Sequence, residues 1–269
     1  MASNPRARER MLPIARTQKL NSLTERHCWR KAFLKCAIAV RPRIFYTQPM
    51  RVLILQHEKS TSPGSTIQWC QERGHRVQIL AADGTEVWPT ADQFDFLVIC
   101  GGSMNVDQEA EFPWLKAEKS FLQRSLQQKK KIVGLCLGGQ LLAEALGGRV
   151  QKQAHWEVGW QPVQLDDGTE LVAFQWHGYQ FSHPPKTKIT ASNEACPFQA
   201  FSFGNQALGF QFHPETTEAW AIECAEDKQL PTTGFTQTGE EIKAGLAYQP
   251  KLQAWYFSQL DRLAAEDLK

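Results

Sequence analysis

From Met50 onward, apolar residues gather in short runs without alternation, separated by amphipathic stretches. RVLILQ (51–56), HRVQIL (75–80), FDFLVIC (94–100) and KIVGLC (131–136) have strand length and the composition of strands buried on both faces. Between them, STIQWCQERG (65–74) reads as a helix closing on Gly74. PWLKAEKSFLQRSLQQ (113–128) begins with Pro at an early helical position and carries a stripe of Trp114, Leu115, Phe121 and Leu122. A further helix is expected from about 138 to 146, stopped by Gly147 and Gly148. Strands alternating with helices predict a mainly parallel, doubly wound α/β sheet with helices on both faces.

The pattern then changes. EVGWQPVQL (157–165), ELVAFQWH (170–177), KTKITAS (186–192), QAFSFG (199–204) and ALGFQFH (207–213) follow one another across short turns such as DDGT and FGNQ. Strands so connected pair with their sequence neighbours, so a smaller β-rich flank is expected beside the parallel core. Two helical patterns, 216–228 and 251–268, end the chain.

Charge divides the chain where the pattern begins. Residues 1–49 hold eleven Lys or Arg against two Glu, leaving nineteen basic and twenty-six acidic residues in 50–269. No apolar period is sustained in 1–49, so a basic extension, disordered or preceding a native start at Met50, is expected there. An organelle transit peptide, an RNA-contacting arm and a membrane-surface helix are the functional alternatives. Residues 50–240 are expected to form the domain, with 241–269 as a C-terminal helix packed on it. No apolar run has the roughly 18 to 20 residues that span a bilayer. The seven cysteines are scattered and lack a CxxC pair, which fits a reducing, cytoplasmic setting better than a disulfide framework or thiolate zinc site. His57 and His155 lack HxxxH or HxH spacing, so no metal is expected. Neither GxxxxGK[ST] nor GxGxxG occurs, so no nucleotide cofactor is expected either.

KIVGLCLGGQ (131–140) carries the candidate chemistry. In a doubly wound sheet, ligands bind at the carboxyl ends of the strands, where Cys136 stands. A sharp strand-to-helix turn crowds the positions two before and two after its centre, and here these are Gly134 and Gly138. Such an elbow sets the sulfur near the first N–H groups of the helix, favouring the thiolate and offering Leu137 N–H as an oxyanion donor. ALGFQFHPE supplies a base, His213, and an orienting acid, Glu215, with Pro214 holding His213 extended. Cys100, ending an apolar strand, reads as a small core hydrophobe.

GLCLGGQ (134–140) and FHPE (212–215) resemble the G-x-C-x-G-x-Q and H-P-E signatures of class I glutamine amidotransferases. CGGSMNV (100–106), EVGW (157–160) and FQWHGYQF (174–181) support the resemblance, which spans about residues 50 to 217 and is similar to the stand-alone relatives of the GMP synthase amidotransferase domain. The resemblance implies an oxyanion N–H at Gly102 or Ser103 and a substrate contact at Gln140. Two positions depart from it: Ser103 stands where relatives commonly have Pro, and Tyr179 where they have Asp after the WHG triplet. If that Asp holds the substrate α-ammonium, Tyr179 cannot supply its charge. His177 is either a site residue or a packed imidazole. A glutamine-directed cysteine amidase is therefore expected, its ammonia acceptor missing or on a separate synthetase chain. A γ-glutamyl peptidase or hydrolase with the same triad is the alternative, and a non-enzymatic binding protein a third. Glutamine or another γ-glutamyl small molecule is the expected ligand, and the sequence leaves the oligomeric state open.

Overall fold

The computed structural model describes residues 49–84, 87–227 and 234–265. The basic N-terminal segment lies, apart from Pro49, outside the described residues. Among the described residues a ten-stranded sheet runs in the order β10-β5-β7-β8-β9-β4-β3-β1-β2, with β6 paired to β5. Its continuous parallel part comprises β1 (Arg51–Gln56), β2 (Arg76–Ala81), β3 (Phe96–Ile99), β4 (Lys131–Leu135) and β9 (Ala207–Phe210), and at the other edge β10 pairs parallel with β5.

The unalternated strand sequences have a direct packing explanation. Along β1, Val52 and Ile54 enter one core while Leu53 and Leu55 enter the other. Phe96 and Val98 of β3 divide from Leu97 and Ile99 in the same way. The first core is covered by helices α1 (Ser65–Arg73) and α6 (Gln249–Ala265), through Trp69, Leu252, Tyr256 and Leu260. The second is covered by α2 (Trp114–Gln127) and α3 (Leu137–Ala145), through Leu115, Phe121, Leu122 and Leu141. Each such side chain contributes roughly 1.5–3 kcal/mol by leaving water.

The β-rich flank continues the same sheet. β5 (Val150–Leu165) pairs antiparallel with both β6 (Glu170–Phe181) and β7 (Lys188–Ser192), and β8 (Ala200–Phe203) leads back antiparallel to β9. β5 starts seven residues before the expected Glu157 and has a register shift between Lys152 and Glu157. After α4 (Glu218–Ala225) come two elements absent from the sequence expectation, β10 (Phe235–Thr236) and α5 (Gly239–Ala244). α5 starts with a capping box between Thr238 and Glu241 and buries Ile242 in the first core. β9 lies beside β4 in this order, so the chain re-enters the parallel sheet next to the strand that carries Cys136.

Candidate active site

Cys136 sits between β4 and α3 with φ 51° and ψ −107°. A non-glycine residue in such a region stores strain of about 1–3 kcal/mol, held only where neighbours overdetermine the backbone. Here they do. Cys136 N–H donates to the Phe210 carbonyl at 2.8 Å, and Gln140 N–H donates to the Cys136 carbonyl at 2.9 Å. A Cβ on Gly134 would lie 2.3 Å from the Gly138 carbonyl oxygen, and one on Gly138 would lie 2.2 Å from that of Ile99. Both elbow glycines are thus required by close backbone approach. Gly139, not singled out in the sequence, is equally constrained, since its Cβ would meet the Phe210 oxygen at 2.4 Å.

β9 delivers the second component. Beyond its end, His213 N–H donates to the Phe174 carbonyl at 2.8 Å, fixing the backbone from which the imidazole projects. His213 Nδ1 donates to Glu215 Oε1 at 2.8 Å, and the imidazole lines the same cavity as Cys136, whose Sγ donates to the Trp176 carbonyl at 4.0 Å. Glu215 is itself held from behind, because its backbone carbonyl accepts Ser65 N–H at the start of α1 at 2.8 Å. The thiol, the imidazole and the carboxylate are all buried, at 7, 4 and 4% exposure. Burial works against the His213 imidazolium, but the Glu215 carboxylate and the Cys136 thiolate outweigh it and push its pKa up to about 10. An imidazolium is the partner that activates a cysteine nucleophile beside it. Burial pushes the thiols of Cys70, Cys196 and Cys224 up to about 12, and that of Cys100 well above its usual range.

The loop after β3 closes one side of the sulfur. A Cβ on Gly101 would come 3.0 Å from His213 Cε1 and 3.6 Å from Cys136 Cβ. Among the described residues, no protein acceptor takes the N–H of Gly102 or Leu137, which leaves both free for a developing oxyanion. Ser103 Oγ instead donates to the Glu58 carboxylate.

Two cavities meet at Cys136. One, of about 270 Å³, is lined by Leu137, Gln140, Trp156, His177 and Tyr179. The other, of about 490 Å³, is lined by His213, Trp176, Trp220, Glu58 and Glu223. A further cavity of about 410 Å³, beside Asp166, Lys188 and Arg262, lies apart from the nucleophile.

The expected ligand-contacting residues divide in their placement. Tyr179 lines the smaller cavity. Gln140 reaches it as well, yet its amide is engaged, donating to Tyr179 O at 3.4 Å and Gln211 Oε1 at 3.3 Å. His177 both borders the cavity and is packed: Nδ1 donates to Tyr179 O at 3.0 Å, while Nε2 lies 2.9 Å from Gln175 Oε1 and 3.3 Å from Glu157 Oε2. Glu157 is fully buried and also accepts from Asn193 and Gln199. Gln211 is a contact that the sequence reading missed, its Nε2 donating to Cys136 Sγ at 3.9 Å. The signal was available, since positions 211 and 213 of an extended segment share a face.

Comparison with known proteins places this geometry in a family. The model for "Glutamine amidotransferase class-I" matches residues 64–221, more than half of the chain. The glutamine amidotransferase-like protein YfeJ of Salmonella typhimurium is 29% identical over 236 residues, covering 80% of this chain and 97% of that protein. A subunit of the glutamine-hydrolyzing GMP synthase of Ignicoccus hospitalis is 31% identical over 137 residues, covering 47% of this chain and 70% of its own. A glutamine amidotransferase crystal structure from Thermotoga maritima superposes with a TM-score of 0.73 at 25% identity, covering 81% of this chain and 100% of that one. The chain belongs to the class I glutamine amidotransferases.

Proposed function

We propose that this chain is a cysteine amidase that cleaves the γ-carboxamide of glutamine through a γ-glutamyl thioester on Cys136. The supporting observation is the strained elbow cysteine facing one cavity together with a buried imidazole that Glu215 holds at 2.8 Å. The Cys136 thiolate attacks the side-chain carbonyl carbon. The oxygen, gaining charge, takes hydrogen bonds from Leu137 N–H and from Gly102 N–H, with Ser103 as its neighbour in the loop. His213 gives its proton to the departing ammonia, then takes one from the water that cleaves the thioester. Gln140, His177 and Tyr179 form the wall of the acyl side.

Ammonia passes to an acceptor on a separate synthetase chain, a reading supported by the relative that is named as one subunit of a GMP synthase. The free thiols of the five described cysteines suit a reducing, cytoplasmic setting. Among the described residues, no helix is long and apolar enough to cross a membrane.

One observation favours a second reading. His213, which protonates the leaving group, borders the cavity of about 490 Å³ and not the smaller one. That space exceeds what ammonia needs and admits the amine of a γ-glutamyl peptide. Ammonia release from glutamine, measured beside amino-acid release from γ-glutamyl dipeptides, separates the two. Faster dipeptide cleavage would replace the amidotransferase reading with a γ-glutamyl hydrolase. Loss of both activities in Cys136→Ala is expected either way.

A further inference from the structure

A further buried imidazole–carboxylate pair lies directly behind the loop after β3. Parallel pairing of β1 with β3 sets Leu55 beside Ile99, which brings His57 alongside Gly101 two residues further on. His57 Nδ1 lies 2.8 Å from the Gly101 carbonyl oxygen, and Nε2 lies 2.9 and 3.1 Å from the two Glu118 oxygens. Both side chains have zero exposure. Trp114 stacks on the imidazole, with centroids 5.5 Å apart and planes inclined by 21°. A carboxylate sunk beside Leu115, Phe121 and Leu122 would be costly without a partner, and His57 is the one the structure provides.

The direction of one of these bonds follows from chemistry. A carbonyl oxygen only accepts, so His57 Nδ1 carries the proton and donates. The proton between Nε2 and Glu118 can sit on either partner without changing that. Burial disfavours the charged imidazole, but Glu118 and the Gly101 carbonyl outweigh it, and the pKa of His57 is raised.

The peptide that receives this bond carries the Gly102 N–H, and Gly102 lines both cavities that meet at Cys136. Gly101 C=O and Gly102 N–H belong to one planar trans unit and point in opposite directions. Anchoring the carbonyl on His57 therefore turns Gly102 N–H away from β1. Gly101 meanwhile sits against His213 and Cys136, on the side where the acyl oxygen develops charge. Ser103 and the glycines leave the loop little intrinsic rigidity of its own.

We propose that His57, anchored by Glu118, is a positioning residue of the oxyanion site, holding the Gly101 carbonyl so that Gly102 N–H stays aimed at the acyl oxygen. This rests on Cys136 being the acyl acceptor, but not on which γ-glutamyl compound supplies the acyl group. The pair acts through the loop and touches no substrate.

The test uses an acyl donor that needs neither the natural substrate nor a partner. Acetylation of Cys136 by p-nitrophenyl acetate, corrected with Cys136→Ala, passes through an oxyanion, while alkylation by iodoacetamide does not. Two double variants avoid a lone buried charge. His57→Leu with Glu118→Leu removes the donor, whereas His57→Asn with Glu118→Gln keeps an amide N–H near the place of Nδ1. The first should acetylate at least about 30-fold more slowly, below the roughly 10²–10³ of deleting an oxyanion donor. The second should stay within about threefold of wild type, and alkylation should be unchanged in both. Equal acetylation by the two variants, or alkylation falling in step with acetylation, would overturn the proposal. Should neither variant fold, ¹⁵N spectra of His57 in the wild-type protein decide: a protonated Nδ1 across neutral pH supports the anchor, and a bare Nδ1 rules it out. A wild type that takes up no acetyl group on Cys136 would sink the nucleophile reading along with this one.

Discussion

At the residue scale, the proposed chemistry rests on His213, whose charge depends on Glu215 and Cys136 beside it. His213 has its pKa raised from 6.5 to about 10, so its contribution to stability is full below pH 6.5 and lost as pH rises toward about 10. Turnover by the proposed route needs the same imidazolium, which places the alkaline limb of kcat/KM near that upper value. Glu215→Gln keeps the shape of the orienting residue and removes the charge that raises His213. Its alkaline limb should therefore move to lower pH, with activity reduced less than in His213→Ala. A pH profile measured on both variants checks this, and an unmoved limb in Glu215→Gln would contradict the assigned coupling. Reactivity gives an independent check. Burial raises four other described thiols, so brief iodoacetamide treatment near neutral pH should mark Cys136 ahead of Cys70, Cys100, Cys196 and Cys224 in peptide mapping.

Elements explain why those residues meet. The elbow exists because α3 lies so close to β3, β9 and β4 that no side chain fits at Gly138, Gly139 or Gly134 respectively. Gly138→Ala should cost at least about 1–3 kcal/mol and displace Cys136, whereas Gly84→Ala, with open space around it, should stay within about 0.5 kcal/mol. Thermal melts with Cys136 alkylation rates test the contrast; equal stability of the two variants would mean that the close approach is relaxed without cost.

This elbow was legible in the sequence because its constraints fall within two residues of Cys136. The parallel strands β1, β3 and β4 were legible too, since burial on both faces leaves them few polar positions, whereas β2 is an exposed edge strand carrying Arg76 and Gln78. The first half of β5 was not, because Gln151, Lys152, His155 and Trp156 are exposed and QKQAHWE carries no apolar period. β10 is too short, at two residues, to leave a pattern. α5 did leave a capping signal, T-x-x-E at Thr238 and Glu241, that passed unread. The contact between His57 and Glu118 spans 61 residues and depends on strand register, which local patterns do not encode.

For the molecule as a whole, charge marks where the fold begins. The basic segment before Met50 differs in charge from everything after it, and the first strand begins at Arg51. A chain starting at Met50 is expected to melt cooperatively within about 2 kcal/mol of the full chain and to retain its acylation rate. A larger loss would show that residues 1–49 pack as an element. The reaction itself predicts a covalent intermediate that no binding protein of this fold would form. The most direct measurement is acid quenching of the wild-type protein during incubation with glutamine or a γ-glutamyl dipeptide, followed by peptide mass spectrometry. A γ-glutamyl adduct on the peptide bearing Cys136, absent from Cys136→Ala together with all turnover, is the expected result. Turnover that survives in Cys136→Ala, or an adduct on a different residue, would contradict the mechanism.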